Sequence, residues 1–240
     1  MCRLIAFTAI EPKGFHDVVG SNFANFTSLS VEHKDGWGIA HDGKIQKELK
    51  PAHESFDFSN AVNQLKTDGA LLHLRLASKG ITVEINNNHP FIYEQFTFMH
   101  NGTIRPTNSA ERLISDKFKA FIAGSTDSEL LFYAVLSQIA ELGLIEGIKN
   151  CINLIRKNAD YSALNIVIQT PEYLVAVCEF KEANPSGLNS PDHYELRFTK
   201  TENEVVVAST GWGNTDWQRL ANHQILVVDR ATLEISISSL

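Results

Sequence analysis

The cysteine at position 2, directly after Met1, is the residue whose type and place could do the most chemistry. A small residue there lets an aminopeptidase remove Met1, which would put an amine and a thiol on one terminal residue. An α-amino group titrates near ~8 and a thiol near ~8.5, so the amine can take the thiol's proton at neutral pH. Nucleophile and base then come from the same residue. A structural reading stands beside this one, in which Cys2 is a small residue opening the apolar run from Arg3 to Thr8.

Four further segments could complete such a site. In His33-Lys34-Asp35-Gly36-Trp37-Gly38, two glycines bracket a tryptophan at the entrance to a strand, which also suits a turn with a packed aromatic. In Leu71-Leu72-His73-Leu74-Arg75, an apolar run carries a guanidinium whose planar fork of donors suits a carboxylate, either a substrate's or a structural acid's. Asn87-Asn88-His89-Pro90-Phe91 is followed by Phe98-Met99-His100-Asn101-Gly102. There the Asn101 amide and the Gly102 N–H could serve as paired donors to an oxyanion, while Asn-Gly is also the commonest two-residue hairpin turn. In Thr126-Asp127-Ser128-Glu129, the Asp127 carboxylate could receive a substrate ammonium, or it could be a favourable charge behind a Thr126–Glu129 capping box.

Strand-type patterning predicts the elements that would carry these residues: 3–8, 38–42, 70–75, 96–100, 163–169, 174–180, 195–199, 204–209, 224–228 and 233–238. Helical periodicity covers 59–66, 127–141 and 145–158, with weaker candidates at 15–26 and 109–121. Short connections between the late strands favour antiparallel pairing, and the layered solutions are two packed sheets or one sheet with helices outside. Pro185, Gly187 and Pro191 mark 184–193 as a surface loop within a domain.

The chain's 240 residues fit one large domain, and its 43% hydrophobic content is that of a globular protein. A net charge of -7 with no basic run argues against nucleic acid or an anionic membrane as partner. Three cysteines without close spacing suggest neither a disulfide framework nor a metal site. The absence of an export segment or a long apolar run predicts a cytoplasmic protein.

Taken in order, Cys2, the Gly-Trp-Gly segment, His73 with Arg75, His89-Pro90-Phe91, His100-Asn101-Gly102 and Thr126 to Glu129 resemble the class II glutamine amidotransferases, especially their small stand-alone branch. The motifs run from Cys2 to about Leu136. The resemblance implies an α+β fold, the four-layer αββα Ntn-hydrolase sandwich of two antiparallel sheets, with residues 1–240 forming a single amidotransferase domain. It implies Cys2 as nucleophile, Asn101 with Gly102 as oxyanion donors, and Arg75 and Asp127 as holders of the glutamine carboxylate and amine. His89 and Trp37 count as further candidate substrate contacts. No metal or other cofactor is implied.

Synthase-linked members of this family usually have Trp after the arginine, where this chain has Leu76, followed by Ser78 and Lys79, so their gating behaviour is not carried over. About one glutaminase domain's length leaves ammonia either to a separate accepting subunit or to water. The expected substrate is glutamine or another γ-glutamyl compound. A γ-glutamyl peptide amidase acting on glutathione-like conjugates, and an idle subunit that only binds, are the alternatives.

Overall fold

Alternation along the first strand divides the molecule into layers. In β1 (Arg3–Lys13), Leu4 and Ala6 face one side while Ile5, Phe7 and Ala9 face the other. The same division recurs in β4 (Thr67–Leu74) and β10 (Glu204–Ser209), where Leu71, Val205 and Val207 join Leu4, and Leu72, Val206 and Ala208 join Ile5. A period of two with both faces apolar demands a cover on each side. One cover is a second sheet and the other is a layer of helices.

The computed structural model describes residues 2–78, 80–182, 193–213 and 216–240. Around β1, the first sheet runs β11 (Gln218–Leu220), β9 (Leu196–Lys200), β10, β1, β4, β2 (Trp37–His41), β3 (Lys44–Glu48). The second runs β13 (Ile235–Ser239), β12 (Gln224–Asp229), β8 (Tyr173–Cys178), β7 (Asp160–Gln169), β6 (Phe96–Arg105), β5 (Phe91–Tyr93). Every paired neighbour in both sheets is antiparallel. Met99, Ala163, Val167, Leu174 and Leu226 of the second sheet meet Leu4, Leu71 and Val207 of the first in one core.

Outside the first sheet lie α1 (Phe15–Val19), α2 (Asn22–Ser28) and α3 (Phe56–Gln64), which bury Phe15, Phe23, Phe26 and Phe58 against Phe7 and Leu72. Each such ring contributes about 1.5–3 kcal/mol on burial. Outside the second sheet lie α4 (Asp116–Lys119), α5 (Asp127–Leu142) and α6 (Leu144–Asn158). In α6, Ile148, Cys151, Ile152 and Ile155 keep helical spacing and pack onto Ile166, Val175 and Val177. The result is the α+β, four-layer αββα arrangement implied by the resemblance.

Several details differ from the sequence expectation. Asn101 and Gly102 are not a hairpin turn: they lie inside β6, opposite Asn165 and Leu164 of β7, with a register irregularity between Gly102 and Ile104. The actual hairpin joins β5 to β6 at Glu94, whose φ is 49°. The helix expected over 15–26 is broken at Gly20, at φ 62°. That expected over 109–121 reduces to α4 and a preceding 3-10 turn at Glu111–Leu113. β3, Lys-Ile-Gln-Lys-Glu, was not expected because an exposed edge strand carries no apolar alternation. The 184–193 loop lies outside the described residues except for His193.

Candidate active site

Cys2 sits at the head of β1, and its backbone N–H donates to Asn101 Oδ1 at 3.0 Å, tying one sheet to the other. This leaves Asn101 Nδ2 buried and without a partner. A buried amide donor with nothing to bind is unfavourable unless a ligand supplies the acceptor. The Cys2 Sγ lies 3.5 Å from the Leu76 N–H and 3.6 Å from the Leu76 carbonyl oxygen. Burial pushes the Cys2 thiol up, while the Leu76 N–H and the positive charges of Arg75 and Arg3 act in the opposite direction.

A pocket opens beside this sulfur. Arg75, Leu76, Ala77, Ser78 and Ile81 form one wall, Thr126, Asp127 and Ser128 another, and His89, His100 and Gly102 complete it with Asn87 and Cys2. Five of the seven sequence candidates therefore line one cavity: Cys2, Gly102, Arg75, Asp127 and His89. Asn101 adjoins it through Cys2.

Trp37 is the exception and requires correction. Its indole is fully buried among the aromatics beneath the first sheet, edge-on to Phe58 at 5.3 Å, with Nε1 donating to Glu48 Oε2 at 3.1 Å. It does not line the pocket. The segment acts through its backbone instead. Arg75 N–H donates to Gly36 O at 2.8 Å, Asp35 N–H to Arg75 O at 3.1 Å, and Asp35 Oδ2 accepts from Ala77 N–H at 2.8 Å. The loop thus fixes the course of the chain across Arg75 to Ala77. Gly38 serves His89, because a Cβ there would stand 2.0 Å from the His89 carbonyl oxygen. Trp37→Phe is expected to lower stability by about 1 kcal/mol through loss of the Glu48 bond. The KM for substrate should stay unchanged, and thermal denaturation with steady-state kinetics checks both.

Arg75 is 3% exposed, its Nη2 donates to Thr82 O at 3.3 Å, and its Nη1 is buried without a partner. Across the pocket, Asp127 begins α5 with Oδ2 accepting from Ile104 N–H at 2.6 Å. The cap of α5 is Thr126, whose hydroxyl accepts from Glu129 N–H at 3.1 Å, a contact of about 1 kcal/mol. The expected capping box is only half formed. Glu129 turns to the Ala123 and Gly124 N–H groups, at 3.0 and 2.7 Å. Asp127 is therefore not needed as the cap.

Sequence reasoning passed over several lining residues. Asn87 Nδ2 donates to Thr82 O, Glu84 Oε1 and Ser125 Oγ, and its Oδ1 accepts from Ser125 N–H, so it pins the 82–87 lip to the start of α5. Its place directly before Asn88-His89-Pro90 was the available signal. His100 reaches Ser128 Oγ at 2.9 Å and Ala163 O at 3.2 Å. His73 and His89 stack at 4.3 Å, and burial drives all three histidines to the neutral form. The pocket floor is thus polar but uncharged, while its fixed charges are Arg75 and Asp127. That asymmetry suits a zwitterionic amino-acid end.

The fold is thus a two-sheet sandwich of the Ntn-hydrolase type, with Cys2 held beside an Asn-Gly pair. Comparison with known proteins agrees. The sequence model of the class II glutamine amidotransferases matches residues 1–239, and the chain belongs to that family. It is similar to the probable glutamine amidotransferase DUG3 of Saccharomyces cerevisiae, 30% identical over 168 residues, covering 60% of this chain and 47% of the yeast protein. The match thus spans about half the length of that relative.

Among solved structures, a glutamine aminotransferase class-II domain protein from Silicibacter pomeroyi superposes with a TM-score of 0.69 at 20% identity, covering 99% of both chains. The glutamine phosphoribosylpyrophosphate amidotransferase of B. subtilis superposes with a TM-score of 0.65 at 19% identity, covering 99% of this chain and 49% of the other. These two likenesses establish the fold. Among the described residues no helix is long and apolar enough to cross a membrane.

Proposed function

We propose that the chain hydrolyses the side-chain amide of glutamine, or the equivalent bond of a γ-glutamyl compound, through a thioester on Cys2. The observation that carries this reading is Asn101, which holds the Cys2 N–H with Oδ1 and keeps a buried Nδ2 unpartnered. In protein lacking Met1, the Cys2 α-amine takes the thiol proton and the sulfur attacks the amide carbon. The carbonyl oxygen becomes an oxyanion, for which this reading takes Asn101 Nδ2 and the Gly102 N–H as donors. Collapse breaks the carbon–nitrogen bond, and the proton held on the amine leaves with the nitrogen as ammonia or an amine. Water then cleaves the thioester to the free γ-carboxylate and restores the thiol.

Arg75 and Asp127 supply the grip on the acyl side, with the unpartnered Nη1 for an α-carboxylate and the pocket-facing carboxylate for an α-ammonium. Capping either end of glutamine leaves a charged protein group desolvated without its partner, a loss of several kcal/mol. N-acetylglutamine is expected to be a very poor substrate. Arg75→Lys keeps the charge but loses the fork, so KM for glutamine should rise strongly with a modest loss in kcat, and Asp127→Asn should behave alike. Assays of ammonia and glutamate from glutamine, glutathione and N-acetylglutamine test this. Equal turnover of free and capped glutamine would refute the γ-glutamyl assignment, glutathione cleavage would identify a γ-glutamyl peptide amidase, and no turnover of any would identify a binding subunit.

A further inference from the structure

We propose a second binding site at the far end of the sandwich from Cys2, built to take a small aliphatic amine with two or more positive charges. A cavity of about 390 Å³ opens where the β2–β3, β5–β6 and β7–β8 turns meet, and it shares no lining residue with the pocket at Cys2. Its size falls within the roughly 300–1,000 Å³ of small-molecule sites. Thr8 of β1 accepts from Arg230 Nε in the wall of this cavity. It stands at the other end of the strand from Cys2, roughly 20 Å away in extended chain.

Floor and rim differ in character. At the floor, Thr97, Gln169 and Thr170 are buried, and Gln169, 7% exposed, keeps Oε1 without a hydrogen-bond partner. Its carboxamide reaches from β7 across to β4, where Gly69 makes room for it: a Cβ there would lie 2.4 Å from Gln169 Nε2. A buried acceptor left unpaired is unfavourable until a ligand brings a donor to it. At the rim, Asp42, Asp68 and Glu94 are exposed carboxylates set against one guanidinium, that of Arg230. Arg230 is already engaged: Nη2 donates to Asp68 Oδ1 at 2.7 Å, and Nη1 donates to Thr170 O at 2.6 Å and Pro171 O at 3.3 Å. It is therefore not free to receive an anion. Asp42 accepts from Thr67 Oγ1 at 2.8 Å and meets His41 Nδ1 at 3.0 Å, while Lys44 acts on it from outside the lining.

Charge and hydrogen-bonding pattern together select a cation rich in donors. A single metal ion does not fit, because among the described residues no three side chains of His, Cys, Asp or Glu are grouped to hold one. Carboxylates set apart on separate turns suit amines set apart along one flexible chain. One ammonium end then reaches Gln169 Oε1 while the others meet the rim.

Isothermal titration calorimetry of spermidine and putrescine into the full chain, at fixed ionic strength, tests the proposal. Saturable binding of one amine per chain is expected, weakening as salt rises. Gln169→Met keeps the length of the side chain and removes the acceptor, so the affinity should fall about tenfold. Glu94→Gln removes an exposed rim charge and should cost about threefold. A net charge of -7 attracts any polycation, so Glu141→Gln, at the exposed end of α5, is the control and should change nothing. Absence of saturable binding at millimolar amine would overturn the proposal, as would binding untouched by a folded Gln169→Met. Equal weakening by Glu141→Gln and Glu94→Gln would reduce the effect to net charge and overturn it too. Magnesium that displaces spermidine at equal ionic strength would assign the cavity to a metal ion instead. If circular dichroism shows Gln169→Met unfolded, the contrast between Glu94→Gln and Glu141→Gln decides. The readout needs no turnover, so amine binding and amide hydrolysis stand or fall separately.

Discussion

Cys2→Ala is expected to abolish amide hydrolysis, lowering kcat by at least about 10⁴-fold, as for the loss of a covalent nucleophile elsewhere. Cys2→Ser should fare little better, because a hydroxyl is far harder to ionise in a site that already pushes the thiol up by burial. Wild-type protein that retains Met1 should be inactive for a separate reason: an acylated nitrogen cannot accept the thiol proton. Peptide nitrogen at Cys2 can still donate to Asn101 Oδ1, so the unprocessed chain should keep the site's geometry while lacking its base. Mass spectrometry of the active fraction, paired with ammonia release from glutamine, separates the cases. Full activity in a preparation still carrying Met1 would sink the one-residue mechanism even if alanine at position 2 were dead.

Asn101→Ala should cost about 10²–10³ in kcat with little change in KM, the scale of a single oxyanion donor. Because Asn101 also holds the Cys2 N–H, alanine alone mixes positioning with stabilisation. Asn101→Asp keeps an acceptor for that N–H and removes the donor, so a comparable kcat loss in both variants would identify the donor as the active part. Gly102→Ala should be as damaging by another route. A Cβ at Gly102 would stand 1.9 Å from the Ala163 carbonyl oxygen and 2.7 Å from His100 Nε2. β6 must then move away from β7, carrying Asn101 with it, at a cost of about 1–3 kcal/mol or more. Stopped assays and thermal denaturation on the same samples check both effects. Full turnover in Gly102→Ala would show that the Asn-Gly pair tolerates displacement and does not form the oxyanion site.

Much of this molecule could be read along the chain. All ten strands expected from patterning occur, most of them because a strand buried on one or both faces declares itself by period and β-branched content, and the exposed β13 by its alternation of Ile and Ser. α5 and α6 were equally plain, being long and apolar on their packed faces. The polar edge strand β3 and the three-residue β5 and β11 were not, since their pairing comes from neighbours rather than from their own pattern. Residue types also limited the chemistry at Cys2, Arg75, Asn101 and Asp127, each of which carries the functional group its proposed role needs.

Local pattern could not choose between two uses of the same residues. Asn-Gly suits a hairpin turn as well as an oxyanion site, and only pairing with Asn165 and Leu164 puts Asn101 and Gly102 inside a strand beside Cys2. Asp127 suits a helix cap until Thr126 takes the cap and Ile104 N–H takes one Asp127 oxygen. Trp37 reads as a substrate contact until the layers form and its indole lies on the core side. Deciding partners lie far away along the chain: 99 residues separate Cys2 from Asn101, and 23 separate Ile104 from Asp127. A residue's chemistry is local, whereas its partner, and hence its role, exists only once the sheets have stacked.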